Sequence, residues 1–67
     1  MNWDIIEGKW SQLTGKVKET WGDLTDDEIT QAEGKKDKLV GVIQAKYGIA
    51  KEEAEKRVDE FSAALED

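Results

Sequence analysis

EGKWSQLTGKVKETWGDLTDDE, residues 7–28, decides how this chain is read. At 100° per residue, Trp3, Ile6, Trp10, Leu13, Val17, Trp21 and Leu24 fall within roughly 80° of arc, one apolar stripe along one helix. The stretch changes character at Gly22, which reads as the residue just past a helix end, where a positive φ is wanted. Thr25-Asp26-Asp27-Glu28 follows. Thr25 can accept from the Glu28 N–H while the Glu28 carboxylate reaches back, a reciprocal cap. Asp26 and Asp27 place negative charge at the positive end of the new helix. A short second helix is expected from about 26 to Ala32.

The same order of residues returns 26 positions later, in EGKKDKLVGVIQAKYGIAKEEA, residues 33–54. Glu7, Gly8, Lys9, Leu13, Gly15 and Gly22 match Glu33, Gly34, Lys35, Leu39, Gly41 and Gly48; Val17 faces Ile43, and Trp21 faces Tyr47. A third helix is expected from Gly34 or Lys35, with Leu39, Val40, Ile43 and Tyr47 on its apolar side and Gly48 as its stop. A last helix runs from Lys51 to about Leu65, with Ala54, Val58, Phe61 and Leu65 on one narrow face. Its solvent side offers three i,i+4 pairs, Glu52–Lys56, Glu53–Arg57 and Lys56–Glu60, each contributing only tenths of a kcal/mol. Ala50 stands where Ser, Thr or Asp would cap that helix, an omission that costs about 1 kcal/mol. The expected fold is all-α: a small four-helix bundle of two packed αα-hairpins, a pseudo-repeat of about 26 residues in a single domain spanning 1–67.

Six glycines punctuate the repeat. Gly22 and Gly48 read as helix stops, and Gly8 and Gly34 as helix starts. Gly15 and Gly41 fall inside helices, where glycine costs roughly 1 kcal/mol against alanine. The expectation favours a close approach of another backbone there over an exposed position that merely tolerates glycine.

Composition narrows the function. A chain of 67 residues makes a marginal core, and it has neither cysteine nor histidine. Disulfides are excluded, and zinc, haem and iron–sulfur sites lose their usual ligands. Apolar packing alone must hold the fold, with three tryptophans, one tyrosine and one phenylalanine supplying much of the area. Sixteen acidic against ten basic residues give a net charge of −6, which opposes nucleic acid and anionic membrane surfaces. The start, MNWDIIEGK, has no apolar run long enough for a signal peptide. LVGVI, residues 39–43, is far too short to span a bilayer. A cytoplasmic protein is expected.

The run W-x-Q-x-x-G-x-V-K-x-x-W-G-x-L-T-D-D-E (10–28), then EGK-x-D-x-LVG-x-IQ-x-x-YG (33–48), then A-E-K (54–56), resembles the CsbD-like family of small bacterial stress proteins. The resemblance extends from Trp3 to about Phe61. It implies a small all-α bundle of two hairpins packed across each other, and a role in the general stress response with no established biochemical activity. It brings no catalytic or ligand residues. Ser11, Thr14 and Asp23 stand where family members often carry lysine, so the first half is less basic than the resemblance would suggest.

No constellation for catalysis emerges. Ser11 and Ser62 lie on helices among charged neighbours with no base to activate them. Asp26, Asp27 and Glu28 are explained by capping. The acidic stretch from Asp23 fails the calcium-loop pattern, since Glu28 replaces the required glycine and Gly34 the final Glu. KYGIAKEEAEKRV (46–58) has the outline of a helix-hairpin-helix, but Ala50 replaces its second glycine, and Glu52 and Glu53 would repel phosphate. The expectation is a protein that is not an enzyme, with no cofactor, no catalytic residue and no metal site. It works as a monomer and contacts a protein partner rather than nucleic acid or membrane. Candidate partner-binding residues are Trp3, near the terminus, and the one basic run, Lys35, Lys36 and Lys38. A hydrophilic stress protectant without a defined partner is the alternative, and an architectural nucleic-acid binder a third.

Overall fold

The computed structural model describes residues 2–65. Its order is α1 (Trp3–Gly8), α2 (Trp10–Thr20), α3 (Asp26–Ala32), α4 (Lys36–Tyr47) and α5 (Lys51–Ala64), with no strand among the described residues. The all-helical expectation stands, but there are five helices rather than four. The first splits at Lys9, whose φ of −107° and ψ of 14° leave the helical region. Gly8 adjoins the break; it ends α1 and does not start a helix. Asn2 caps α1 by accepting from the Ile5 N–H at 2.9 Å.

The reciprocal cap of α3 is formed as the sequence predicts. Thr25 Oγ1 accepts from the Glu28 N–H at 3.1 Å, and Glu28 Oε1 accepts from the Thr25 N–H at 2.8 Å. Helix α4 ends at Gly48 in the left-handed region, φ 63°. Ala50 makes no side-chain cap for α5. Helix α2 ends differently. It stops at Thr20 with Trp21 as its cap, and Gly22 does not take a positive φ. Two residues the sequence did not mark for it carry positive φ in the turn after α3: Glu33 at 57° and Gly34 at 75°.

The stripe of residues 6–24 forms the centre of one continuous core. Ile6, Trp10, Leu13, Val17, Trp21 and Leu24 are buried, together with Leu39, Val40 and Ile43 of α4 and Ala54, Val58 and Phe61 of α5. Ile29 and Ala32 of α3 complete it, while Trp3, Tyr47 and Leu65 are half-buried against it. Trp21 and Phe61 meet ring to ring at 5.0 Å, tilted by 51°. The radius of gyration, 10.7 Å, is that of a folded chain of this length, about 11 Å. Consecutive helices pack on one another, and α3 contacts α2 and α4 to a similar extent. That arrangement does not set two hairpins apart.

One buried hydrogen bond shows how α3 is tied in. The Glu33 N–H turns to the Thr30 carbonyl, which tightens the last turn and frees the Ile29 carbonyl. The Trp10 indole N–H donates to that carbonyl at 2.9 Å, so the deepest polar group of α3 is satisfied by a side chain of α2.

The close backbone approach expected at Gly15 and Gly41 is not there. A Cβ built on either would meet nothing within 4 Å. The approach occurs at Gly34, where an added Cβ would lie 2.6 Å from the Glu7 Cα and 3.3 Å from the Trp10 Cβ. The α3–α4 turn presses directly on α1, and only glycine both fits and adopts that φ.

Candidate functional site

Gly34 also explains where the candidate partner residues stand. Its contact with Glu7 brings the α3–α4 turn alongside α1. Trp3 lies about one helical turn from Glu7, and Lys35 follows Gly34 directly. Lys36 and Lys38 occupy the first turn of α4. Gly34 thus sets the start of the basic run beside α1, the helix that carries Trp3. The four side chains are not equally available. Trp3 packs half-buried against the core. Lys36 Nζ pairs with Asp59 of α5 at 2.6 Å, and Lys38 Nζ bonds to the Glu33 carboxylate. Lys35 is exposed and forms no ion pair among the described residues. Ile5, on the same helix as Trp3, is the large apolar residue most open to solvent among the described residues, 45% exposed.

Electrostatics here follow from these pairs. The hydrogen bond from Lys38, then its charge, holds the Glu33 carboxyl below its ordinary value, and Lys35 adds to the effect. The same bond raises Lys38 above its ordinary value. The pair clasps the left-handed Glu33 to α4, so this part of the basic run serves the turn itself.

The two mid-helix glycines acquire a role from the surface around them. Gly41 lies in an open groove of about 590 Å³ between α4 and α5, lined by Lys36, Asp37, Val40, Gly41, Gln44, Lys51 and Glu55. Gly15 lies in a smaller one of about 330 Å³ between α2 and α3, lined by Thr14, Gly15, Lys18, Asp26, Ile29 and Thr30. Moved by 26 positions, Thr14, Gly15, Lys18 and Ile29 become Val40, Gly41, Gln44 and Glu55. The grooves therefore occupy equivalent places in the two repeats, each opened by the absent side chain. The sequence signal was the recurring glycine; its meaning required seeing that the helix beside it leaves space there.

The ion pairs between helices were not legible either, and two of them are close. Lys36–Asp59 spans α4 and α5, and Lys46–Glu28 spans α4 and α3 at 3.0 Å. Of the three i,i+4 pairs expected on α5, Glu53–Arg57 is formed, at 3.1 Å. No helix among the described residues is long and apolar enough to cross a membrane.

Comparison with known proteins adds the family. Residues 4–56 match the profile of the family described as CsbD-like. A UPF0337 protein of Pseudomonas aeruginosa is 57% identical over 65 residues, covering 97% of this chain and all of its own. A UPF0337 protein of Bordetella pertussis is 57% identical over 61 residues, covering 91% of this chain and 92% of its own. The UPF0337 protein YjbJ of Escherichia coli K12 is 53% identical over 66 residues, covering 98% of this chain and 96% of its own.

Proposed function

We propose a function from one premise: the chain belongs to the CsbD-like family. It is a non-catalytic protein of the bacterial general stress response, acting in the cytoplasm as a small protein-interaction module. The observation that carries the reading is the groove between α4 and α5. Its floor at Gly41 is left open by the fold, and Lys36, which lines it, follows Lys35 directly in the chain. The packed core favours a defined surface over a loosely solvated protectant, which does not need one. The matching glycine-opened grooves support reading the chain as two αα-hairpins, α2–α3 and α4–α5, related by the repeat, with α1 as an addition to the first.

The test is affinity capture from stressed bacterial lysate with tagged protein and two variants. Gly41→Gln projects a side chain from a position where a Cβ would meet nothing within 4 Å, and by removing a mid-helix glycine it stabilises α4 by about 0.5–1 kcal/mol. Lys35→Glu reverses the unpaired lysine. A protein captured by the wild type and lost with either variant supports the module and identifies its surface. Capture unaffected by both variants places the surface elsewhere. Nothing above background with any of the three favours the protectant.

A further inference from the structure

A single oxygen of the Glu28 carboxylate both caps its own helix and pairs with another. Oε1 accepts from the Thr25 N–H at 2.8 Å, which closes the start of α3. It also receives Lys46 Nζ at 3.0 Å, from the last turn of α4. The two side chains are 33% and 29% exposed, better shielded than the Lys18–Asp26 pair nearby, at 47% and 94%. Lys46 is itself one residue from Tyr47, where α4 ends, and two from the left-handed Gly48 that turns the chain into α5.

We propose that Glu28 is an acid-operated joint: its ionised carboxylate holds the start of α3 and the end of α4 together, and one proton releases both. A neutral carboxylic acid loses its attraction for the Lys46 ammonium and is a weaker acceptor for the Thr25 N–H. No ligand and no second residue need act. The release reaches α5 through the turn at Gly48.

The surrounding charges agree. Lys46 is the charged side chain from another helix that acts on Glu28. Asp26 and Asp27 flank it on its own turn. Lys18 of α2 is occupied with the Leu24 carbonyl at 2.6 Å and leans toward Asp26 at 3.9 Å. The hydrogen bond from the Thr25 N–H, then that from Lys46, holds the Glu28 carboxyl below its ordinary value. A carboxyl lowered on folding stabilises the fold above its ordinary value, and that stabilisation is lost as pH falls through the lowered one.

The experiment is an acid titration followed by NMR, reading the Glu28 carboxyl carbon and amide exchange at both helix ends. It uses the wild type, Glu28→Gln and Lys46→Met. Glutamine at 28 preserves the shape of the cap and cannot ionise. In the wild type, the Glu28 carboxyl should titrate below the ordinary glutamate value. Exchange at residues 25–29 and 45–48 should rise several-fold with that same midpoint, relative to Glu28→Gln at equal pH. Lys46→Met should move the Glu28 midpoint upward. The proposal is overturned if the two helix ends respond at different midpoints, if Glu28→Gln keeps the acid step, or if Glu28 titrates at or above the ordinary glutamate value. Should Lys46→Met fail to fold, coincidence of the three wild-type midpoints decides the matter.

Discussion

The two turns that close the repeated units start from matching residues and end as different structures. Between α2 and α3 the chain uses five residues, 21–25; between α4 and α5 it uses three, 48–50. In the shorter turn the backbone does the work. Gly48 takes a left-handed conformation and its N–H bonds to the Gln44 carbonyl at 2.9 Å. In the longer turn side chains do it. Trp21 and Leu24 are buried, Lys18 Nζ donates to the Leu24 carbonyl, and Thr25 caps the next helix. Gly22 and Gly48 are aligned residues, yet only one uses the conformational freedom that glycine offers. A glycine's necessity is set by what surrounds it, and a repeat in sequence transmits the letter without the reason.

The sharpest way to break this comparison is at Leu24. It is 1% exposed, and truncating a buried leucine costs about 2–5 kcal/mol. That is comparable with the whole stability of a domain this small, about 3–5 kcal/mol. Leu24→Ala should therefore be largely unfolded at room temperature by circular dichroism. Its repeat-equivalent is already the exposed Ala50, and Ala50→Leu should change stability by less than about 0.5 kcal/mol. Equal losses at the two sites would show that both turns rely on side-chain burial.

Gly34 and Gly8 come next. In Gly34→Ala the new methyl meets the Glu7 backbone at a φ that L residues rarely adopt. Overpacking adds about 1–3 kcal/mol to a backbone penalty of about 1 kcal/mol. Gly8→Ala meets nothing and should stay within about 0.5 kcal/mol of the wild type. Urea midpoints compared at equal slope would separate the two.

The smallest contrast lies in the turns themselves. Gly48→Ala should lose about 1 kcal/mol, the penalty for placing a Cβ in the left-handed region. Gly22→Ala should lose none, because its φ is not positive. Thermal melts of the two variants side by side would show it, and a matched loss would mean that Gly22 visits the left-handed region in solution.

What the sequence made legible was what local rules govern. Thr25 and Glu28 are three residues apart and interact with each other, so the cap was readable from four letters. Gly48 and the apolar stripe followed from spacing alone. The break at Lys9 was hidden because the stripe runs unbroken from Trp3 to Trp21: a kink that keeps the same face inward leaves the pattern intact. Ile29 and Ala32 were overlooked because α3 spans only seven residues, Asp26–Ala32, too few for a period to stand out. The contact of Gly34 with Glu7, and the pairs Lys46–Glu28 and Lys36–Asp59, depend on how helices meet in space, which spacing does not encode. At the candidate site, the residues could be named from composition, but their availability could not. Lys36 and Lys38 look like Lys35 in the sequence, and only the folded chain distinguishes the two whose ammonium groups are held in close ion pairs from the one that acts on Glu33 by charge alone.

The meeting of Trp21 with Phe61 has a consequence in time rather than in strength. The two rings lie forty residues apart along the chain, about one doubling beyond the nineteen that separate Trp10 from Ile29. Each doubling of a closed loop adds about 0.6 kcal/mol of entropy to be overcome, and contacts between distant residues slow the search for the native arrangement. Of the two contacts, the Trp21–Phe61 pair therefore closes the longer loop and carries the larger share of the search that folding must complete.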